Sequence, residues 1–264
     1  MPSTQDDLTL ALELADVADA ITLERFRAAD LGIETKPDLT PVTEADKAVE
    51  QTFRERLASA RPGDAVVGEE YGAPEQESGN GRCWIVDPID GTANYVRGIP
   101  SWATLLALQE DEEVTVGVVS APALQRRWWA VRGGGAFARD ELSDEPRRLR
   151  VSAVQALGDA VLCISDLDGW DETGALERLL ALARRCWRMR GYGDFWIYML
   201  IAEGAVDVGG EPVVSLWDLA APQVIVEEAG GTFTDLAGVA TASGGDALAS
   251  NGLVHEEALA LLRR

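Results

Sequence analysis

Asp87 and Asp90 lie three residues apart at the end of an apolar run, in the segment WIVDPID of residues 84–90. Carboxylates and backbone carbonyls are the oxygen ligands that hard divalent cations such as Mg²⁺ prefer. Pro88 stiffens the turn, so the carbonyl of Ile89 can face the same pocket as the two acids. Stiffness matters because like charges repel each other until a cation is bound. The spacing therefore predicts a site for divalent cations.

Gly91 and Thr92 follow directly and are predicted to begin a helix. The first backbone N–H groups of a helix have no partner within it, and together with the helix dipole they suit a phosphate oxygen. Divalent cations beside such a helix end are typical of metal-assisted phosphate hydrolysis. No histidine lies near these residues, so a water activated by the metal is the expected nucleophile.

Further acids stand at the ends of other predicted elements. Glu69 follows the apolar run AVVG, and Asp218 follows Trp217 at the start of a predicted helix. Ligands usually bind at strand ends in layered α/β proteins. Each acid also has a structural interpretation, since Asp218 could cap its helix and Asp46 lies three residues after Thr43, as in a capping box. A calcium-stabilised domain without catalysis stays open, although DPIDG does not match the EF-hand loop.

The overall charge narrows the classes of partner. The 264-residue chain has 45 acidic and 23 basic side chains and a formal net charge of −22. Such a charge repels nucleic acid and anionic membranes, and also a phosphate ester unless bound cations reverse the sign locally. We expect a small-molecule partner and no nucleic-acid or membrane partner. The acidic N-terminus lacks the basic region of a signal peptide, so a cytoplasmic location is expected.

Other candidate motifs are weak. Cys83, Cys163 and Cys186 are far apart and odd in number, which argues against a zinc site or a disulfide framework. His255 would have to serve any Ser-His-Asp or Cys-His triad, and no nucleophile-elbow motif accompanies it. The segment GGGAFA at 133–138 resembles half of a dinucleotide-binding fingerprint without the following helix, so it is predicted to be a hairpin turn.

Helical and strand patterns alternate along the chain. The predicted helices cover about residues 6–28, 44–61, 174–188, 194–204, 217–229 and 255–264. The predicted strands cover about residues 64–70, 83–87, 104–110, 114–122, 126–133, 160–165, 205–209, 231–236 and 246–252. The polar segment 73–82 is predicted to be a loop, and the sequence does not say whether it closes over the site. This order predicts a layered α/β domain with a central antiparallel meander.

Three motifs resemble those of the inositol monophosphatase superfamily. They are Gly-Glu-Glu at 68–70, the run WIVDPIDGTANY at 84–95, and WDLAA at 217–221 with EAGG at 228–231. Their order and spacing match that superfamily over nearly the whole chain. The long DPIDGT motif carries most of the specificity.

The resemblance implies a fold and a cofactor. The fold would be an αβαβα sandwich with mixed, largely antiparallel sheets, in one domain of residues 1–264. Residues 1–150 would supply the metal and phosphate half, and residues 151–264 the substrate half. The enzyme would be a magnesium-dependent, lithium-sensitive phosphomonoesterase and usually a homodimer, with two or three Mg²⁺ per site that Mn²⁺ can replace.

The resemblance also implies the metal ligands, carried over by position. Glu69, Asp87 and the carbonyl of Ile89 would hold the first ion. Asp87, Asp90 and Asp218 would hold the second, and Glu69 would also face a third, weaker site. All of these positions match the motifs of the superfamily.

Four residues would act on the water and the phosphate. Thr92, supported by Asp46, would help to orient the attacking water, and Glu69 is also expected to assist because magnesium activates water less strongly than zinc. Gly91 and Thr92 would cradle the phosphate.

The substrate is predicted from a second resemblance. The segments ETKPDLTPVTEADKA, GVVSAPALQRRWWA and WRMRGYGDFWIYMLIAEGAVDV are similar to the actinobacterial histidinol-phosphate phosphatases of this superfamily. Asp194 stands where inositol phosphatases usually have a small or hydroxyl residue, and an added carboxylate suits a cationic substrate. Glu211 could bind an ammonium group, and Arg190 could orient Asp194 or touch the phosphate. Alternatively, Asp194 could simply cap the helix that follows.

These observations predict Mg²⁺-dependent hydrolysis of L-histidinol phosphate to L-histidinol and phosphate, a step of histidine biosynthesis. Inositol-1-monophosphatase, with fructose-1,6-bisphosphate as a further substrate, is the alternative within the same class. A metal-stabilised binding protein without catalysis is the alternative from another class. One departure concerns Pro222, four residues after Asp218, which predicts a late or irregular start of the helix.

Overall fold

The architecture is taken from a computed structural model. It describes residues 3–37, 40–73, 81–142 and 145–263, so most of the segment 73–82 lies outside the described residues. The helices of the described ranges are α1 (Thr4–Arg25), α2 (Glu44–Ala60), α3 (Thr92–Val96), α4 (Asp168–Glu172), α5 (Leu176–Arg185), α6 (Asp194–Ala202), α7 (Leu216–Glu228) and α8 (His255–Leu262). In these ranges, no helix combines the length and the apolarity needed to cross a bilayer.

The strands of the described ranges form three sheets. The first nine strands are β1 (Ile33–Thr35), β2 (Pro41–Thr43), β3 (Ala65–Gly68), β4 (Arg82–Asp90), β5 (Ala103–Glu110), β6 (Glu113–Ala121), β7 (Arg126–Val131), β8 (Gly135–Arg139) and β9 (Arg147–Arg148). Strands β1 and β2 form a small antiparallel hairpin, and β3 to β9 form one sheet in chain order. In that sheet β3 and β4 are parallel, and the other neighbours are antiparallel.

The remaining strands belong to a second, mixed sheet. They are β10 (Val161–Ile164), β11 (Arg188–Gly191), β12 (Val208–Glu211), β13 (Thr232–Thr234) and β14 (Ala247–Ser250). Their spatial order is β11-β10-β12-β14-β13, with β10 parallel to both of its neighbours and the pairs of β14 antiparallel. The expected layered fold with mixed, largely antiparallel sheets is thus confirmed.

Alternating side chains along the strands explain the layers. Trp84 of β4 packs with α1 and α2 on one face of the large sheet, whereas Ile85 packs with α6 and α7 on the other face. Helices α6 and α7 lie between the two sheets, and α5 and α8 cover the outer face of the second sheet. Gly117 of β6 lets α7 approach closely, because an added Cβ would lie 2.8 Å from the carbonyl oxygen of Ala221.

Some predicted boundaries were wrong. Helix α1 ends at Arg25 because Phe26 is extended and Arg27 has a φ of 63°. The helix predicted over 174–188 is the shorter α5, since residues 188–191 pair with β10 as strand β11. Helix α7 begins normally at Leu216 and contains Pro222, so the predicted irregular start was also wrong.

Candidate metal and phosphate site

Three carboxylates meet where β4 ends and α7 begins. Asp87, Asp90 and Asp218 each offer an oxygen, and these oxygens all lie within 4.8 Å of one another. Asp87 is buried with 1% exposure, although a carboxylate is normally hydrated. Oxygen donors at this spacing fit a hard divalent cation.

Backbone N–H groups hold the acids of β4 in place. The Ile89 N–H donates to Asp87 Oδ1 at 3.0 Å, which fixes the turn around Pro88. The Phe195 N–H, in the first turn of α6, donates to Asp90 Oδ2 at 2.6 Å. Asp90 therefore also completes the start of a helix that lies about a hundred residues further along the chain.

Asp218 occupies the third position of its helix rather than the cap. Ser215 is the N-cap residue of α7, and its N–H donates to Asp218 Oδ2 at 2.8 Å in a capping box. The structural interpretation of Asp218 as an N-cap was therefore wrong in detail. The capping box places the carboxylate at the positive end of the helix, which favours its charged form.

Burial and mutual repulsion disfavour charge on these acids. Burial raises the pKa of Asp87 and of Asp90 well above the ordinary value, and the neighbouring carboxylates raise it further. Burial also raises the pKa of Asp218 to about 6. Within the described part of the chain, no lysine or arginine forms an ion pair with any of the three. A bound cation would remove this penalty, so the donor set fits a metal.

Lys36 lies beside the carboxylate cluster and was not singled out from the sequence. Its Nζ lies 2.7 Å from Glu69 Oε1 and 2.6 Å from Glu70 Oε1. Glu69 is close enough to Asp87 to raise the pKa of that acid. Burial raises the pKa of Glu70 to about 7. The Gly-Glu-Glu motif is thus next to the cluster, with one oxygen of Glu69 held by a lysine.

Thr92 and Asp46 meet beside the turn of β4. The Thr92 hydroxyl lies 2.8 Å from the Ile89 carbonyl oxygen and 3.4 Å from Asp46 Oδ1. The other oxygen of Asp46 accepts from the Thr43 N–H at 2.9 Å, as the capping-box interpretation predicted. Burial raises the pKa of Asp46 to about 6. One carboxylate therefore caps α2 with one oxygen and faces Thr92 with the other.

Gly91 lies where the phosphate is expected and has a left-handed φ of 82°. An added Cβ would lie 3.0 Å from the Ser101 carbonyl oxygen and 3.1 Å from Asp194 Oδ2. Glycine is therefore required here by its backbone angle and by close packing. The same contact shows that the Asp194 carboxylate reaches the turn that carries Gly91 and Thr92.

Asp194 and Glu211 are joined through Ser165. The Asp194 N–H donates to Ser165 Oγ at 3.0 Å, and the Ser165 hydroxyl donates to Glu211 Oε1 at 2.5 Å. The Tyr198 hydroxyl donates to the other oxygen of Glu211 at 2.7 Å. Burial raises the pKa of Asp194 to about 6 and that of Glu211 to about 8. Asp194 makes no capping bond to its own helix, where Gly193 is the N-cap.

Arg190 does not contact Asp194 or Glu211 in the described hydrogen bonds. Its side chain is exposed on β11, and its guanidinium donates to the Met189 carbonyl at 2.8 Å. The Asp194 carboxylate is oriented by Asn94 instead, whose Nδ2 lies 3.0 Å from Asp194 Oδ2. Asn94 belongs to the DPIDGT-containing run, but a contact across a hundred residues leaves no local signal in the sequence.

His255 and the cysteines lie outside the cluster. His255 is 2% exposed and hydrogen-bonds Thr234 and Ser250 through its two ring nitrogens at 3.0 Å each. Cys83, Cys163 and Cys186 are all free thiols. The segment 133–138 forms the β7–β8 hairpin, as predicted.

Comparisons with known proteins agree with this geometry. Residues 4–264 match the model of the inositol monophosphatase family. A protein named histidinol-phosphatase from Mycobacterium tuberculosis is 58% identical over 98% of both chains. One of the same name from Streptomyces coelicolor is 55% identical over 100% of this chain and 99% of its own.

Solved structures give the same result. The structure of an IMPase from Thermotoga maritima superimposes with a TM-score of 0.85 at 30% identity, over 97% of this chain and 96% of its own. The family model covers nearly all of the sequence that forms the helices, the sheets and the carboxylate cluster. The chain therefore belongs to the inositol monophosphatase family.

Proposed function

We propose that this protein is a Mg²⁺-dependent phosphatase that hydrolyses L-histidinol phosphate to L-histidinol and phosphate, in histidine biosynthesis. The observation that carries the proposal is the pair of carboxylates, Asp194 and Glu211, beside the metal and phosphate site. Histidinol phosphate carries an ammonium group, whereas inositol phosphate offers hydroxyls. The high identity to proteins named histidinol-phosphatase supports the same substrate.

The residues proposed to hold the metal are Glu69, Asp87, the carbonyl of Ile89, Asp90 and Asp218. When bound, Mg²⁺ supplies a Lewis acid that lowers the pKa of water and offsets the charge of the phosphate. Carboxylate and carbonyl oxygens also suit Mn²⁺, so Mn²⁺ should replace Mg²⁺. We also propose two or three ions per site and inhibition by Li⁺. Measuring the activity at varied Mg²⁺ and Li⁺ concentrations tests both.

Thr92 and Asp46 are proposed to orient the attacking water. A Thr92 hydroxyl that donates to Asp46 keeps both lone pairs on its oxygen for accepting from that water. In the structure the Thr92 hydroxyl lies 3.4 Å from Asp46 Oδ1 and donates at 2.8 Å to the Ile89 carbonyl, so a metal ion on that carbonyl would leave the hydroxyl proton for Asp46. Gly91 and Thr92 would hold the phosphate through backbone N–H groups at the start of α3.

Asp194 and Glu211 are proposed to bind the ammonium group of the leaving alcohol. Both are held by neutral donors, so no charged group of the chain competes with the substrate for them. Asp194, whose pKa is about 6, is ionised at neutral pH, and Glu211, whose pKa is about 8, would release its proton when the ammonium group binds. A cavity of about 100 Å³ adjoins Glu211 and is lined by Ser165, Asp166 and Trp170 among others. It has room for about three waters.

The surroundings proposed for the enzyme follow from its charge and its family. A net charge of −22 supports a cytoplasmic protein that binds neither nucleic acid nor anionic membranes. A homodimer is also proposed, as is typical of the inositol monophosphatase family. Light scattering after gel filtration tests the dimer. The division into a metal half (1–150) and a substrate half (151–264) stays a prediction.

The substrate is tested by kcat/KM for histidinol phosphate and for inositol-1-phosphate with Mg²⁺. The wild type should prefer histidinol phosphate. Asp194→Ala should lower that preference by about 10- to 100-fold, because a hydrogen bond to a charged group contributes about 1.5–3 kcal/mol. A wild type that prefers inositol phosphate would make the protein an inositol monophosphatase. No phosphate release from a wide panel of esters would indicate a non-catalytic binding protein.

A further inference from the structure

Asp194 has a backbone conformation that its side chain alone does not favour. Its φ is 51°, and the preceding Gly193 has a φ of 80°. Two successive residues with positive φ turn the chain sharply at the start of α6. The direction of the Asp194 carboxylate therefore depends on this backbone turn and on the residues that contact the side chain.

Asn94 contacts the Asp194 carboxylate directly. The Asn94 amide lies 2.9 Å from the Ser101 carbonyl oxygen and 3.0 Å from Asp194 Oδ2. Both N–H bonds of the amide are thus used, and the Ser101 backbone fixes the direction of the one that meets Asp194. Among the described hydrogen bonds, Asp194 Oδ1 accepts from no protein donor, so this oxygen is left for a ligand.

We propose that Asn94 is a positioning residue for substrate selection, which holds Asp194 Oδ2 so that Oδ1 faces the cationic group of the ester. This inference rests on the proposed function and deepens it. Asn94 stands in α3, two residues after Thr92, so one short helix sets both the phosphate turn and the orientation of the cation-binding acid. Helix α3 would thereby fix the distance between the phosphate turn and Asp194, and this distance would match that between the phosphate and the ammonium group of the substrate.

The Asn94 amide is a neutral donor, which matters for binding a cation. An arginine or lysine at this place would orient Asp194 equally well, but it would also neutralise the charge that attracts a cation. Asparagine donates a hydrogen bond without a formal charge. The carboxylate thus stays oriented and negative, as recognition of a cationic ligand requires.

The test is a double-mutant cycle of Asn94→Ala and Asp194→Ala, with kcat and KM measured for histidinol phosphate and inositol-1-phosphate. Asn94→Ala should raise KM for histidinol phosphate about five- to tenfold, more than it changes kcat, and it should lower the preference over inositol phosphate. In the Asp194→Ala background, the added effect of Asn94→Ala on that preference should fall below about twofold. Asn94→Asp places a second carboxylate against that of Asp194, and the two repel each other. This variant should therefore raise KM for histidinol phosphate further.

Two results would overturn the inference. One is an equal loss of kcat/KM for both substrates in Asn94→Ala. An equal loss is expected if Asn94 only supports the Ser101 backbone. The other is an effect of Asn94→Ala on the substrate preference that is as large in the Asp194→Ala background as in the wild type. If the wild type prefers inositol phosphate, the proposed function fails, and the same cycle on that ester then decides separately whether Asn94 acts through Asp194.

Discussion

The two ends of strand β4 bury acids in opposite ways. At its start, Arg82 donates to Asp7 Oδ2 at 2.8 Å and also pairs with Asp64 and Glu110. Arg61 contacts the other oxygen of Asp7 at 2.8 Å. Asp7 is 1% exposed, and each of its oxygens has an arginine from the chain itself.

At the other end of the same strand, Asp87 has the same 1% exposure. Burial raises its pKa, and repulsion from its neighbours Glu69, Asp90 and Asp218 raises it further. A buried acid whose counter-ion is an arginine of the chain has a structural role, whereas a buried acid among other acids needs a counter-ion from solution. The comparison thus separates a structural ion-pair cluster from a site for a soluble cation.

The largest expected effect is on activity, at the second end of the strand. Asp87→Asn should lower kcat/KM by about 10³-fold or more, because it removes a proposed ligand and a neighbour of the phosphate. Stability without metal should stay the same or rise, since one of several repelling acids is lost. Phosphate release and thermal unfolding in metal-free buffer measure the two effects, and full activity would contradict the metal site.

The same kind of substitution beside the start of β4, Asp7→Asn, should lower the free energy of unfolding rather than the activity. Asp7→Asn removes the negative charge that Arg61 and Arg82 share, while Arg82 keeps Asp64 and Glu110. Breaking a buried ion pair costs about 3–5 kcal/mol. Urea unfolding followed by circular dichroism measures the loss. The kcat per folded molecule should stay near that of the wild type. A stable Asp7→Asn variant with reduced kcat would remove the distinction between the two ends.

A smaller effect is expected from pH, through Glu211. Burial raises its pKa from the ordinary 4.5 to about 8, so the folded protein keeps a proton there that the unfolded chain has released. Stability should therefore fall as the pH rises from about 4.5 to about 8, and the loss should be complete above the folded pKa. Between pH 6 and pH 8 this group should contribute a loss on the order of 2 kcal/mol.

Glu211→Gln is the matched control, since it keeps the shape and removes the titration. Urea unfolding without metal at several pH values should give a flatter profile for this variant than for the wild type. Parallel profiles would show that Glu211 is already ionised in the folded protein.

The sequence predicted the parts of the site that lie close together along the chain. Asp87, Asp90 and Gly91 lie within five residues, and a proline, a buried strand and a left-handed turn leave clear local signals there. The apolar run before Asp87 predicted a buried strand in the same way, and β4 is buried over most of its length. The layered fold followed from the order of helices and strands together with the motif resemblance.

The contacts that depend on tertiary structure were missed. Lys36 reaches Glu69 from the connection between β1 and β2, and nothing in its local sequence indicates that contact. The bond between Asn94 and Asp194 requires α6 to lie against the end of β4. The end of α5 was misjudged because pairing with β10 outweighed the helical pattern after Arg185.

The central claim is that the acids at the end of β4 bind a cation from solution. Titration with Mn²⁺, followed by electron paramagnetic resonance of the free ion, tests it directly on the wild type, Asp87→Asn and Asp7→Asn. We expect the wild type and Asp7→Asn to bind Mn²⁺ with similar affinity, and Asp87→Asn to bind it at least about 100-fold more weakly. Equal binding by Asp87→Asn and the wild type would contradict it.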